Sequence, residues 1–499
     1  MNNNENLIYR RQFLLGSETM TIRKGWKKIR LNNEYCVTAH PDLSVTQVSS
    51  NNIQLTLLGY LFDPYCPENS NEDILNRICE ELTTFEDLCS KTYSLSGRWI
   101  IIFNDGVNIK MLHDPCGMRQ IYYTSHDGKT WCGSQPNIIA EELGLKEDTN
   151  KDVLDFVKSS YYENQERAWV GDGSVIQGVK HLLPNHYLDL KTEKVERFWV
   201  DEETEEISID QCVEIVTSIL KGSLAAANNR FDMMLAVTAG WDSRVLLAAS
   251  KDIKNDVYYF VSTMNKLTSK DADIYVPVKL LNTLNLKLNI VKELKPLDET
   301  FKLTLEKNVS MARDLPKTQT IYYAYNNFEG KVNINGNASE IARCYFDSKR
   351  PSDNIDGYQL AKMEGYSSLP YAVSRLNEWH DSAISVCEEN KIDILDLFYW
   401  EQRMGNWGTM YQAEQDIAIE EFCPFNNRRL LIALLKLGKE YRQGPEHIIY
   451  KKMINSLWPE TLSEPINPLN FKAQVKKQIL KMMPSSLKNK IKSTIRVMK

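Results

Sequence analysis

Six consecutive residues, Thr238-Ala239-Gly240-Trp241-Asp242-Ser243, gather hydroxyls, a glycine and a carboxylate between two apolar runs. The run before them, 233–237, has the length of a buried strand, and the run after, 245–249, reads as helix. A small turn there leaves backbone N–H groups free to meet an anion, and the helix N-terminus adds its positive dipole end. Gly240 lets the backbone approach an oxygen-rich ligand closely, and Thr238 and Ser243 can donate hydrogen bonds. Asp242 is a poor direct neighbour for phosphate and makes sense with a cation between them, most simply Mg²⁺. The chemistry these residues point to is a nucleotide phosphate site, against a plain strand–turn–helix with no ligand.

The elements that must position this loop form a β/α alternation from residue 207 onward. Helix is expected over 209–226 and 273–284, and strands over 233–237, 257–262, 286–291 and 332–335. Strands separated by helices indicate a parallel sheet that binds its ligand at the carboxyl ends of the strands. Beyond residue 350 the pattern is mostly helical. The first 200 residues read instead as α+β. Short alternating or apolar runs lie at 53–58, 99–103 and 107–112, with turn signals at Asn104-Asp105-Gly106 and Asp127-Gly128. Helices are expected over 71–82 and 138–143. The acidic run 201–206 marks a boundary, giving three expected units: 1–200, 201–465 and a tail, 466–499.

A chain of 499 residues, 42% apolar and 25% charged, has the profile of a globular protein of two or three domains. A net charge of −6 argues against a nucleic-acid footprint, so no nucleic-acid partner is expected. Ten scattered cysteines without a CxxC read as reduced, mostly buried thiols. No signal peptide is evident at Met1-Asn2-Asn3-Asn4, and no apolar run reaches membrane-spanning length, so a cytoplasmic protein is expected. From Lys472 to Lys499 there are eight Lys, one Arg and no acidic residue, interleaved with apolar positions. That basic amphipathic tail can rest on an anionic membrane surface or a partner, or pack as a solvated helix on its own domain.

The landmarks taken together resemble the asparagine synthetase-like family of amide-forming ligases. Leu95-Ser96-Gly97-Arg98-Trp99 is similar to that family's "L-x-G-x-F" strand entry, and Asp114-Pro115-Cys116-Gly117-Met118-Arg119 with Tyr122-Tyr123 to its "D-P-x-G-x-R-x-x-Y-Y" turn. Gly133-Ser134 stands near the family's "A-S-E", and Gly178-Val179-Lys180-His181-Leu182-Leu183-Pro184 near its "G-I-x-x-L-P-P" linker. Residues 238–243 resemble the pyrophosphatase loop "S-G-G-x-D-S". Asn335-Gly336-Asn337-Ala338-Ser339-Glu340 is the nearest equivalent of "S-G-x-G-A-D-E", one residue shorter, with Tyr345 following. Pro424-Phe425-Asn426-Asn427-Arg428 resembles "P-F-L-D-x-R".

The resemblance implies an N-terminal Ntn-hydrolase-like sandwich, as in class II glutamine amidotransferases, followed by an ATP-pyrophosphatase domain of adenine nucleotide α-hydrolase type with a helical C-terminal part. It implies ATP and Mg²⁺ as cofactors. The nucleotide would be held by Val237, Thr238, Ala239, Gly240, Asp242, Ser243, Ser262, Asn335 and Gly336, with adenine near Phe260, Val261 and Ser262. Asp242 and Glu340 are the implied metal ligands, and Glu340 and Lys451 the implied catalytic residues. The family's Lys and Arg fall, counting back from Pro459, on His447 and Lys451.

The departures carry as much as the matches. The family's glutaminase uses an N-terminal cysteine, whereas residue 2 is Asn and the first cysteine is Cys36. Cys36, His40 and His113 are candidate substitutes, or else core and surface residues. Ser339 stands where the family has a metal-binding Asp. The function implied is an ATP-dependent ligase that activates a small-molecule or peptide carboxylate as an acyl-adenylate for an amine, without glutamine as nitrogen donor. Relatives of that degenerate type close β-lactam rings or peptide macrolactams. The alternative is an impaired nucleotide-binding or scaffold protein.

Overall fold

Side-chain alternation builds the first half of the molecule. The computed structural model describes residues 5–17, 20–21, 23–199, 206–313, 316–352 and 354–468. Its first twelve strands are β1 (Phe13–Ser17), β2 (Lys27–Arg30), β3 (Tyr35–Ala39), β4 (Val45–Ser50), β5 (Ile53–Phe62), β6 (Ser96–Asn104), β7 (Ile109–His113), β8 (Tyr122–His126), β9 (Lys129–Gly133), β10 (Lys180–His181), β11 (His186–Asp189) and β12 (Val195–Arg197). They form two six-stranded antiparallel sheets, β10-β8-β9-β1-β3-β2 and β12-β11-β7-β6-β5-β4. Phe13, Leu15, Leu58, Ile100, Ile102 and Met111 meet between the sheets. Their neighbours along the strands point outward: Leu57, Ile101 and Phe103 pack with Ile74, Ile78 and Leu88 of the helices Asn71–Glu81 and Phe85–Lys91. On the other side, Leu14 and Trp131 pack with Ile138 and Ile139 of the helix Pro136–Leu143. The layers are therefore helix, sheet, sheet, helix, set by a period of two along each strand. Asp127 and Gly128, both at positive φ, close the two-residue hairpin between β8 and β9.

The second half is a five-stranded parallel sheet of β13 (Asp232–Ala236), β14 (Tyr258–Ser262), β15 (Asn289–Val291), β16 (Lys331–Ile334) and β17 (Glu420–Phe422). Its order is β15-β14-β13-β16-β17. Helices Ile209–Asn228 and Trp241–Ala249 cover one face, where Leu220, Leu235, Leu246, Val332 and Phe422 share a core. Met234, Val291, Ile321, Ala324 and Phe328 share another, which includes the helix Pro316–Asn327. Several expected bounds shift. The strand at 107–112 starts at Ile109, because Val107 is exposed in the turn. The strand at 286–291 shortens to 289–291, and that at 233–237 becomes 232–236. The region beyond 350, read as helical, also holds β17.

Antiparallel pairing ends with β12 and parallel pairing begins with β13. The two halves are joined by buried polar groups. Arg98 pairs with Asp416 and Glu420, Arg119 with Glu420, and Asn426 Nδ2 donates to Asp114 and to the Gly97 carbonyl. No helix among the described residues is long and apolar enough to cross a membrane. The basic tail from Lys472 onward lies outside the described residues.

Candidate functional site

The strand order places β13, first in the chain of its sheet, between β14 and β16, so the chain leaves neighbouring strand ends in opposite directions. Such a switch point opens a crevice beyond the carboxyl ends of the strands. The 238–243 loop leaves β13 there, and Asn335 and Gly336 leave β16 beside it. A methyl placed on Gly336 would meet Asp242 Cβ at 2.8 Å, so glycine is what lets the two loops approach. A cavity of about 430 Å³ opens between them. Thr238, Gly240, Asp242, Ser243, Ser262, Asn335 and Gly336 all line it, whereas Val237 and Ala239 are buried behind the loop. Phe260 and Val261 line it from β14.

The loop is shaped by its own hydroxyls. Thr238 Oγ1 and Ser243 Oγ lie 3.0 Å apart, the Thr238 N–H donates to Ser243 Oγ at 3.2 Å, and the Gly240 N–H donates to Thr238 Oγ1 at 3.2 Å. The Ala239 N–H is taken by Asp273 Oδ1 at 3.1 Å, and the Ala239 carbonyl accepts from the Asn467 N–H at 2.8 Å. Gly240 caps the helix Trp241–Ala249 without a side-chain bond, so the first-turn N–H groups of that helix are the donors left for an anion. Arg244, buried in the same helix, holds the passing segment by donating to the carbonyls of Thr461, Glu464 and Pro465.

Asp242 and Glu340 are brought to one spot, and Arg343 stands between them. Its terminal nitrogen donates to Asp242 Oδ1 and Oδ2 at 3.0 and 3.1 Å and to Glu340 Oε1 at 3.4 Å. The Ser339 hydroxyl donates to Asp242 Oδ1, and the Tyr399 hydroxyl to Glu340 Oε2 at 2.7 Å. All four carboxylate oxygens thus already have protein donors, and no group of three or more His, Cys, Asp or Glu suited to a metal occurs among the described residues. A hard divalent ion needs a set of oxygens turned toward it at little more than 2 Å. As they stand, hydrogen-bonded to Arg343, Ser339 and Tyr399, Asp242 and Glu340 do not fit a resident Mg²⁺. Burial works against the Arg343 charge, but Asp242, Tyr450 and Glu340 outweigh it and hold the guanidinium more firmly protonated than usual.

Lys451 lies away from the crevice lining. It is half exposed and pairs with Glu446 at 2.7 Å. The helix Ile448–Leu457 begins after His447, which takes a left-handed φ of 42°. His447 itself packs against the Trp241 ring of the loop, 5.3 Å between centroids. Burial and the nearby Arg343 lower its pKa, keeping it neutral. In the N-terminal half, Cys36 Sγ on β3 contacts the Ser17 carbonyl of β1, His40 bridges Asn6 and Asp42, and His113 lies between the Asp114 and Leu182 carbonyls. They form no shared site. Residue 2 lies outside the described residues. Burial raises the thiols of Cys79, Cys116, Cys132, Cys212, Cys344, Cys387 and Cys423.

Three further residues were not anticipated. Asp273 also lines the crevice, and Arg343 and Glu421 reach it only through residues that do: Arg343 through Asp242, and Glu421 through Asn333 and Asn335. Glu421, wholly buried on β17, accepts from Asn333 Nδ2 at 2.8 Å and from Asn335 Nδ2 at 2.7 Å. Burial, only partly offset by these amides, pushes its carboxyl up to about 8. The signals were faint. Asp273 opens a helix that had been expected, and Arg343 lies one turn beyond Glu340, but a Glu-Glu-Phe strand gives no apolar pattern.

No family model matches the chain, and no curated protein matches it. Among solved structures it is similar to glutamine phosphoribosylpyrophosphate amidotransferase from B. subtilis in complex with ADP and GMP, at 10% identity over 68% of this chain and 73% of that one, with a TM-score of 0.25. It is also similar to an NH3-dependent NAD synthetase from Campylobacter jejuni, at 14% identity over 40% of this chain and 94% of that one, with a TM-score of 0.21. A third is the NMN synthetase of Francisella tularensis, at 14% identity, 40% and 94% coverage and a TM-score of 0.20.

Proposed function

We propose that this protein is an ATP-dependent ligase that forms an amide bond, of asparagine synthetase-like type, and that it takes its amine from a source other than glutamine. One observation carries the reading: a hydroxyl- and glycine-bearing loop, with a helix N-terminus behind it, lines a 430 Å³ crevice at the switch point of a parallel sheet. Cavities of this size suit a small ligand, and the polar rim formed by Thr238, Ser243, Asn335 and Ser262 gives way to apolar walls at Phe260, Leu294 and Phe328. A triphosphate on the rim and an adenine against β14 suit that division. In the proposed reaction a substrate carboxylate oxygen attacks the α-phosphorus, the bond to pyrophosphate breaks, and an amine then attacks the acyl carbon and releases AMP. This chain's part is to hold pyrophosphate on the N–H groups of the Trp241–Ala249 helix and to keep the reacting groups together. Mg²⁺ enters the proposal as the counter-ion that ATP brings, not as an ion held by Asp242 and Glu340.

The raised pKa of seven buried thiols among the described residues supports an amine other than glutamine-derived ammonia. ATP–pyrophosphate exchange over a panel of carboxylates tests the reading. Exchange that needs one particular carboxylate, and is lost in a Ser243→Ala variant of unchanged melting temperature, supports it. A second reading, a nucleotide-binding protein without ligase chemistry, is favoured by the ion pair that already occupies Asp242. ATP binding with no exchange on any carboxylate would select it.

A further inference from the structure

We propose that Arg343 is the resident cation of this crevice: it occupies the place between Asp242 and Glu340 that a divalent ion would need, and offers its remaining N–H groups to the polyphosphate. The inference rests on the nucleotide reading above. It starts from the hydrogen-bond count. One terminal nitrogen of Arg343 serves both carboxylates, at 3.0, 3.1 and 3.4 Å. An ion at bonding distance from Asp242 and Glu340 would have to displace that nitrogen, because both would compete for the same lone pairs. Ser339 adds to the competition, since its hydroxyl already occupies a lone pair of Asp242 Oδ1.

The rest of the guanidinium is uncommitted. Among the described residues, its Nε and second amino nitrogen have no hydrogen-bond partner, and neither is a fully buried atom. The Arg343 side chain keeps 19% of its surface exposed, beside an Asp242 that is 30% exposed and lines the cavity. A planar fork with free N–H groups is the arrangement that takes two phosphate oxygens at once. Two carboxylates alone would repel a polyphosphate; the guanidinium cancels one charge and converts the spot into a donor. Tyr450, whose ring lies 5.8 Å from the guanidinium carbon and whose hydroxyl donates to the Ser339 carbonyl at 2.8 Å, backs the pair from the protein side.

Two titrations on wild type, Arg343→Ala and Arg343→Lys test this, each variant checked by circular dichroism and melting temperature. In the first, Mn²⁺ alone is titrated and free ion is read by electron paramagnetic resonance. In the second, ATP binding is measured by equilibrium dialysis in EDTA and in Mg²⁺. The expected result is no stoichiometric Mn²⁺ on wild type, and ATP affinity in EDTA within about threefold of that in Mg²⁺. Arg343→Ala loses about tenfold or more in EDTA, the value of one charge-assisted hydrogen bond, and gains one Mn²⁺ on the freed carboxylates. Arg343→Lys falls between. Stoichiometric Mn²⁺ on wild type, or Arg343→Ala binding ATP in EDTA as wild type does, overturns the proposal and leaves the nucleotide site standing. A wild type that binds ATP in neither medium overturns the nucleotide reading and, with it, the role of Arg343.

Discussion

Glu421→Gln isolates a titration that the fold builds in behind the crevice, where Glu421 holds the lining residues Asn333 and Asn335. The carboxyl is wholly buried, and its pKa stands at about 8 against an ordinary 4.5. The sign follows from which state holds the proton. Below about 4.5 both folded and unfolded chains hold it, and the group costs nothing. Between 4.5 and 8 the folded chain keeps a proton that the unfolded chain releases, so each pH unit weakens the fold by about 1.4 kcal/mol. Above 8 both release it, and the loss levels off at about 5 kcal/mol. Glutamine has the shape of the protonated acid and does not titrate. It also keeps an oxygen for Asn335, while the unpartnered Oδ1 of Asn333 is available, on turning that amide, to accept from the new NH₂. Calorimetric melting of both proteins from pH 5 to pH 9 reads the difference, in which every other titrating group cancels. The wild type should lose about 5 °C relative to Glu421→Gln across that range if the chain melts as one unit. Parallel curves would falsify the assignment of a raised pKa to this buried carboxyl.

Two shorter predictions concern the crevice and the first half. Gly336→Ala places a methyl 2.8 Å from Asp242 Cβ and 3.5 Å from Leu246 Cδ1, so it should cost about 1–3 kcal/mol in denaturant unfolding and weaken ATP binding with it; an unchanged midpoint would mean the two loops part freely. Purified protein should release no glutamate from glutamine, and a coupled glutamate dehydrogenase assay that detects turnover would reinstate a nucleophile in the N-terminal half.

The parts of this fold that follow a local period were legible in the sequence. Alternation at the start of β5 and the apolar runs of β6 and β13 announce their own burial, and the 238–243 loop is framed by a strand and a helix that need no distant partner. What stayed hidden depends on partners far along the chain. Arg343 becomes a crevice residue through Asp242, 101 positions earlier. The strand β17 reads as polar surface, because its burial of Glu420 and Glu421 is made possible by Arg98, Arg119, Asn333 and Asn335. Lys451, reached by counting back from Pro459, is half exposed on its helix and pairs with Glu446. The landmarks Asp114 and Asn426, noticed separately as turn and segment, turn out to hydrogen-bond each other at 2.7 Å. Their meaning is the junction of the two halves.

That junction gives the N-terminal half a task that needs no nucleophile. Tyr60 donates to the Glu421 carbonyl, Arg98 donates to Asp416 at 2.6 and 2.7 Å and to Glu420 at 2.7 Å, and Arg119 donates to both oxygens of Glu420 at 3.1 Å. All of these brace β17, and β17 in turn holds Asn333 and Asn335 on the crevice. Burial alone would raise both acids; the guanidiniums hold Glu420 below its ordinary range, while Asp416 remains raised. Arg98→Met keeps the apolar bulk and removes the charge, leaving Asp416 buried without its partner. Breaking a buried pair from one side costs about 3–5 kcal/mol. The cost should shrink as pH falls, because a protonated Asp416 no longer needs the partner. Denaturant unfolding at pH 5 and pH 8 reads the size and its pH dependence, and ATP binding by the folded variant reads the consequence at the crevice. A deficit that is equal at both pH values would show that Arg98 acts through packing rather than charge, and unchanged ATP binding would separate the first half from the site it adjoins.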